Sequence, residues 1–292
     1  MADETPALEP VPDRAPGVLP DGAEHRRIAL PGRPTLGLTR IAGTGEPLLW
    51  LHPSRTNRRV FDHAIAASRL GRPILVPDLC GHGDSDWPDA GHDLDDHVGD
   101  LVALVEAMGL ERFAIVGQAT GATLGLLLAT RLRGRVSALA LGDVALGIRP
   151  EVLALVERQE RGFAAGFRTP DEAMAATPFS ERWSPAVQTH WLATTLERSA
   201  DGSWRWRYDP ATVLATMGQM VEDRWDRIDV AAPVLLFRGA ENEAIERDEI
   251  ERALRHLPGA EAVEMDGANH RLCQDAPDAF AALVDGFLER LP

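Results

Sequence analysis

Lysine is absent: all 30 basic side chains of this 292-residue chain are arginine. That excludes chemistries built on a lysine amine, namely a Schiff-base aldolase, a pyridoxal-phosphate enzyme and a nucleotide phosphatase with a Walker-type phosphate loop. Cysteine is scarce. Cys80 and Cys273 offer neither a disulfide framework nor metal-ligand spacing, and no apolar run reaches the roughly 18 residues that a bilayer span needs. Positive charge is also short: 45 acidic residues against 30 basic give a net charge of −15, which repels nucleic acid and anionic membranes. The expected partner is a small apolar molecule, with no nucleic acid, membrane, metal or cofactor; the oligomeric state stays open, a homodimer included.

The opening stretch MADETPALEPVPDRAPGVLPDGAEH is acidic and proline-rich without an apolar core. It reads as a disordered tail over 1–25 and not as a signal peptide, so a cytoplasmic protein is expected. From Arg26 onward, short apolar runs alternate with segments of helical period, the pattern of an α/β protein with a largely parallel sheet. RRIAL and TLGLTRIAG predict a hairpin; PLLWLHP, PILVPDL, RFAIVGQ, VSALALGDV and PVLLFRGA predict strands buried on both faces, and AEAVEMDG a last strand. Residues 56–69, 92–108, 119–133 and 275–290 have helical spacing, with Asp93 or Asp95 placed to cap the second. The stretch 148–228 breaks the alternation. It is charged, helix-like and holds Trp183, Trp191, Trp204, Trp206 and Trp225, which predicts an inserted helical cap between core segments 26–147 and 229–292.

Four segments then fall into one register. Leu51-His52-Pro53-Ser54 follows a strand; Asp78-Leu79-Cys80-Gly81-His82-Gly83-Asp84-Ser85 follows the next; Gly117-Gln118-Ala119-Thr120-Gly121 joins a strand to an apolar helix; and Gly267-Ala268-Asn269-His270 follows the last strand. In this register the chain resembles the α/β-hydrolase superfamily from about Arg26 to the end. The resemblance implies an α/β-hydrolase fold with a mostly parallel eight-stranded sheet, helices on both faces and a cap. It also implies a nucleophile elbow at Gly117–Gly121, an oxyanion hole from the Ser54 and Thr120 N–H groups, and His270 as general base. Glu243, four residues past Gly239, stands where many relatives carry the acid that orients the histidine; Asn242 and Asp143 are the alternatives. Pro53, where the family usually has glycine, cannot itself donate an N–H. Cys80 replaces an arginine of the second turn.

The departure that matters is Ala119, since a methyl group cannot attack a carbonyl. Two origins fit the sequence: an engineered exchange of serine, made to trap substrate, or natural loss of the nucleophile with the pocket retained. With serine at position 119, the expected reaction is hydrolysis of a small apolar ester, lactone or amide, or of a carbon–carbon bond beside a ketone. With alanine, His270 could still serve as the base of a lyase, isomerase or cyclase, and the third reading is a small-molecule-binding protein without turnover. His52 and His82 read as packed, hydrogen-bonded histidines rather than ligands. The tryptophans of the cap read first as its core, with Trp183, Trp191 and Trp204 the candidates for a pocket wall.

Overall fold

A computed structural model describes residues 8–90, 92–242 and 247–291. The strands are β1 (Leu8–Pro10), β2 (Glu24–Ile28), β3 (Leu36–Ile41), β4 (Leu48–Leu51), β5 (Ile74–Pro77), β6 (Phe113–Gln118), β7 (Val136–Gly142), β8 (Leu196–Arg198), β9 (Trp204–Trp206), β10 (Val234–Gly239) and β11 (Glu261–Met265). The helices are α1 (Asp62–Ala67), α2 (Leu94–Ala107), α3 (Thr120–Arg131), α4 (Pro150–Phe163), α5 (Pro170–Ala175), α6 (Pro185–Thr195), α7 (Pro210–Met220), α8 (Arg247–His256), α9 (Leu272–Asp275) and α10 (Pro277–Glu289).

Nine strands form one sheet in the order β1-β2-β3-β5-β4-β6-β7-β10-β11, antiparallel as far as β5 and parallel from there on. The near-continuous apolar runs are explained by burial on both faces. Along β4, Leu49 and Leu51 enter the core with α2 and α3, while Leu48 and Trp50 enter the core with α1 and α10. The chain goes from β4 outward to β5 and then back to β6, so strand order reverses between β4 and β6. A crevice opens at the carboxyl ends of strands at such a reversal, and the Ser54 loop and Ala119 sit there. Asp93 caps α2 in a reciprocal capping box with Asp96.

The structure corrects two expectations. The sheet has nine strands instead of eight, because β1 pairs antiparallel with β2, Leu8 opposite Ile28. The same pairing shows that the stretch expected to be disordered over 1–25 is docked from Leu8 onward; residues 1–7 lie outside the described residues. The reason is charge. Arg59 is buried, and Asp13 accepts an ion pair from it at 2.8 Å beside the one from Asp62 at 2.6 Å.

Between β7 and β10 the chain builds α4 to α7 and the β8–β9 hairpin, a two-stranded element that the helix-like reading of this stretch had not separated. Each of these four helices starts with proline at its first position, where the missing N–H costs nothing. Thr169, Ser184 and Asp209 cap three of them with side-chain oxygens. This segment is tied to the second turn by Gly83 N–H to Arg207 O (2.8 Å) and Asp209 N–H to Gly81 O (2.7 Å). The turn itself is structural: buried Asp78 accepts from the Arg58 N–H (2.7 Å) and guanidinium and from the Asp84 N–H (2.8 Å).

Candidate active site

The elbow is backbone geometry first. A Cβ on Gly117 would lie 2.7 Å from Gly121 O, and one on Gly121 would collide with the Leu51 carbonyl and lie 2.8 Å from that of His52. Only glycine lets β6 turn this sharply against α3 and the end of β4. Ala119 between them has φ 49° and ψ −118°, a conformation costly for any residue with a Cβ. It is held by Ala119 N–H to Gly142 O (2.8 Å) and by Thr123 N–H to Ala119 O (3.0 Å).

The Ser54 and Thr120 side chains are joined, Ser54 Oγ donating to Thr120 Oγ1 at 3.0 Å. Their backbone N–H groups have no partner among the described residues, and Thr120 opens α3, where the helix dipole favours negative charge. These are two unspent donors beside Ala119.

His270 is held at three points. Its N–H donates to Asn269 Oδ1 (2.7 Å), its carbonyl accepts from Gln118 Nε2 (2.9 Å), and its ring Nδ1 lies 3.0 Å from Asp143 Oδ2. A carboxylate only accepts, so the ring proton sits on Nδ1 and the Nε2 lone pair is left to act as a base. Asp143 is buried, has φ 50°, and accepts a second bond from Asn242 Nδ2 at 2.8 Å. Ser54, Ala119, Thr120, Asp143 and His270 all line one cavity of about 470 Å³, whose walls include Ile148, Val152, Val156, Phe179, Met217 and Met220. Its size is that of a small-molecule site.

A model of the alpha/beta hydrolase family matches residues 48–283. This chain belongs to that family. An esterase of Mycobacterium tuberculosis is 28% identical over 266 residues, 86% of this chain and 85% of that protein. The 2-(acetamidomethylene)succinate hydrolase of Mesorhizobium japonicum is 24% identical over 95% of this chain and 99% of its own length. A crystal structure of E-2-(acetamidomethylene)succinate hydrolase shares the fold with a TM-score of 0.80 at 23% identity, covering 91% of this chain and 99% of that one.

Within this alpha/beta hydrolase the sequence-predicted site residues fare differently. Ala119, Thr120, Ser54, His270, Asp143 and Asn242 come together. Glu243 lies outside the described residues, and the carboxylate on His270 is that of Asp143, from the end of β7. Trp183, Trp191 and Trp204 do not line the cavity. Trp183 and Trp191 are buried edge to face with each other, 5.2 Å between centroids, with Trp183 Nε1 donating to Asp275 at 2.8 Å, and Trp204 belongs to the β8–β9 hairpin. His52 is structural: its Nε2 accepts from the Leu79 N–H (2.9 Å), its Nδ1 donates to Pro53 O (2.9 Å), and burial pushes its pKa down to about 3. His82 is buried likewise, its Nδ1 donating to Cys80 O at 3.0 Å. Burial raises the Cys80 thiol to about 12, and that of Cys273 also upward, so neither offers a thiolate. One group with metal-ligand chemistry occurs among the described residues, Cys80, His92 and Asp100. Its donors are already engaged, His92 Nε2 with Asp100 Oδ2 at 2.6 Å and Cys80 Sγ with Asp86 O at 3.4 Å. Sequence reasoning passed over Arg55, Arg271 and Phe179, all of which line the cavity; Arg271 follows the base directly, the one signal that could have drawn attention to it.

Proposed function

We propose that this chain acts on the carbonyl group of a small ester, lactone or amide, with His270 as base, Asp143 as the group that orients it, and the Ser54 and Thr120 N–H groups as the oxyanion hole. The observation that carries this reading is the conjunction in one cavity of a carboxylate-oriented imidazole and two unspent N–H donors around position 119. The apolar walls support a small, largely apolar substrate body.

With alanine at 119 no acyl-enzyme can form, so the nucleophile is water. His270 Nε2 removes a proton as the water oxygen bonds to the carbonyl carbon, and the two N–H groups hold the resulting oxyanion. The tetrahedral species then collapses, the bond to the alkoxy or amino group breaks, and the leaving group takes the proton back from His270. This route is slow, since loss of the nucleophile in such triads leaves roughly a thousandfold to ten-thousandfold over water.

The test is Ala119→Ser. A hydroxyl at the elbow, within the same base and oxyanion hole, is expected to raise ester turnover by roughly a thousandfold or more, and His270→Ala in that background to abolish the gain. A folded Ala119→Ser protein inert towards a panel of esters, lactones and amides would overturn the reading.

A further inference from the structure

The cavity holds a cation that the water-activation chemistry does not use. The Arg271 guanidinium carbon lies over the rings of Trp191 and Trp183, 4.9 and 5.6 Å from their centroids. Arg271 is half-buried, directly follows the base, and lines the same cavity as Ala119 and His270. Of the other arginines that line the cavity, which include Arg149, Arg55 pairs with Glu160 (2.8 Å) and bonds Gln159 (2.8 Å), and Arg252 pairs with Asp223. Asp275, whose charge acts on Arg271, accepts from the Asn269 N–H (2.7 Å) and Trp183 Nε1–H (2.8 Å) and forms no hydrogen bond with the guanidinium. Among the described residues the Arg271 guanidinium has no hydrogen bond or ion pair, so none of its five N–H donors is used. Desolvation, with repulsion from Arg55 next, pulls its pKa down to about 10, which still leaves it charged at neutral pH.

A guanidinium without a hydrogen-bonded partner, facing a cavity with mostly apolar walls, is available to an anionic group that the cavity receives. Contact with the two indoles holds the guanidinium at the cavity, and its planar fork of donors suits a two-point contact with a planar anion.

We propose that the substrate carries a carboxylate besides its reacting carbonyl, and that Arg271 binds this carboxylate and so sets which carbonyl lies under the Ser54 and Thr120 N–H groups. The substrate class is then a half-ester, half-amide or lactone bearing a free carboxylate on an otherwise apolar frame. This rests on the carbonyl-directed reading above but is tested separately from it.

The probes are monomethyl glutarate and dimethyl glutarate, which share the ester and differ in one carboxylate. Alanine at 119 lets both be measured as ligands by calorimetry with the unaltered chain at neutral pH and low salt. The expected result is that the half-ester binds tighter by roughly ten- to a hundredfold, as charge-assisted bonds imply. Arg271→Met removes the preference, and Arg271→Lys, which keeps the charge without the fork, retains part of it. Equal binding of the two esters by the unaltered chain, a measurement that needs no variant, overturns the proposal; so does a preference undiminished in folded Arg271→Met protein. Kinetics with Ala119→Ser separate the two readings. Hydrolysis of both esters with equal kcat/KM keeps the carbonyl reading and sinks the carboxylate one. Carboxylate-dependent binding through Arg271 without turnover of either ester keeps the carboxylate reading and sinks the hydrolytic one.

Discussion

Replacing Asp143 with asparagine in the Ala119→Ser background asks which acid orients the base. One oxygen, Asp143 Oδ2, accepts from both His270 Nδ1 (3.0 Å) and Asn242 Nδ2 (2.8 Å). Hydrogen bonds to a charged group contribute about 1.5–3 kcal/mol each. An asparagine there keeps the shape but carries no charge to stabilise an imidazolium. If its amide nitrogen faces His270, the ring must turn its lone pair to Nδ1 and present a proton on Nε2, the wrong tautomer for a base. The loss of the charged acceptor and of the tautomer together cost about 4 kcal/mol in the transition state, or roughly a thousandfold in kcat at 1.36 kcal/mol per decade. The measurement is steady-state ester hydrolysis by Ala119→Ser with and without Asp143→Asn, alongside Glu243→Gln. KM should move little, because the Asp143 side chain is buried and its bonded oxygen is engaged by His270 and Asn242. A kcat reduced less than tenfold by Asp143→Asn, while Glu243→Gln reduces it a thousandfold, would refute the assignment and return the acid to the loop after β10.

Two predictions concern stability. Gly121→Ala would drive a methyl into the Leu51 and His52 carbonyls, backbone on both sides with no flexible side chain to yield, so a loss of about 3 kcal/mol or more is expected in urea unfolding; a midpoint within error of the parent would show that the strand and helix are not in rigid contact. The second is pH dependence. Because the folded pKa of His52 is depressed to about 3 by burial, its contribution to stability is complete above the unfolded value near 6.5 and is lost as the pH falls from there towards 3. Burial lowers His82 and His97 as well, with the same sign. Unfolding free energy should therefore fall by about 2 kcal/mol for His52 alone between pH 7 and pH 5, and an unchanged free energy across that interval would contradict the neutral, buried assignment.

The parts of the site carried by local geometry were legible in the sequence. Gly117 and Gly121 announce a turn that only glycine permits, and His270 follows the last strand in a glycine turn of its own. The acid was not resolvable in that way. β7 and β10 are parallel neighbours, Gly142 opposite Phe237, so the residues that leave both strands arrive at the same sheet edge. The sequence favoured Glu243, four residues past Gly239, with Asp143 as an alternative; Glu243 lies outside the described residues, and Asp143, at positive φ, is the carboxylate on His270. The tryptophans read first as core, and Trp183 and Trp191 are buried; the alternative of a pocket wall is the part that failed. Their number predicts apolar burial, and Trp183 and Trp191 satisfy it partly against each other, edge to face at 5.2 Å. The acidic tail was misread because the partner that orders it, buried Arg59, lies far along the chain.

The strained backbone at Ala119 has a consequence in evolutionary terms. The strain is imposed by glycines and backbone hydrogen bonds around the residue, so it persists whether or not the side chain does chemistry. Alanine and serine codons of the GCN and TCN sets differ by one base, and no compensating change in packing is needed because the elbow already has the shape a hydroxyl would use. A serine at this elbow is therefore a single nucleotide away.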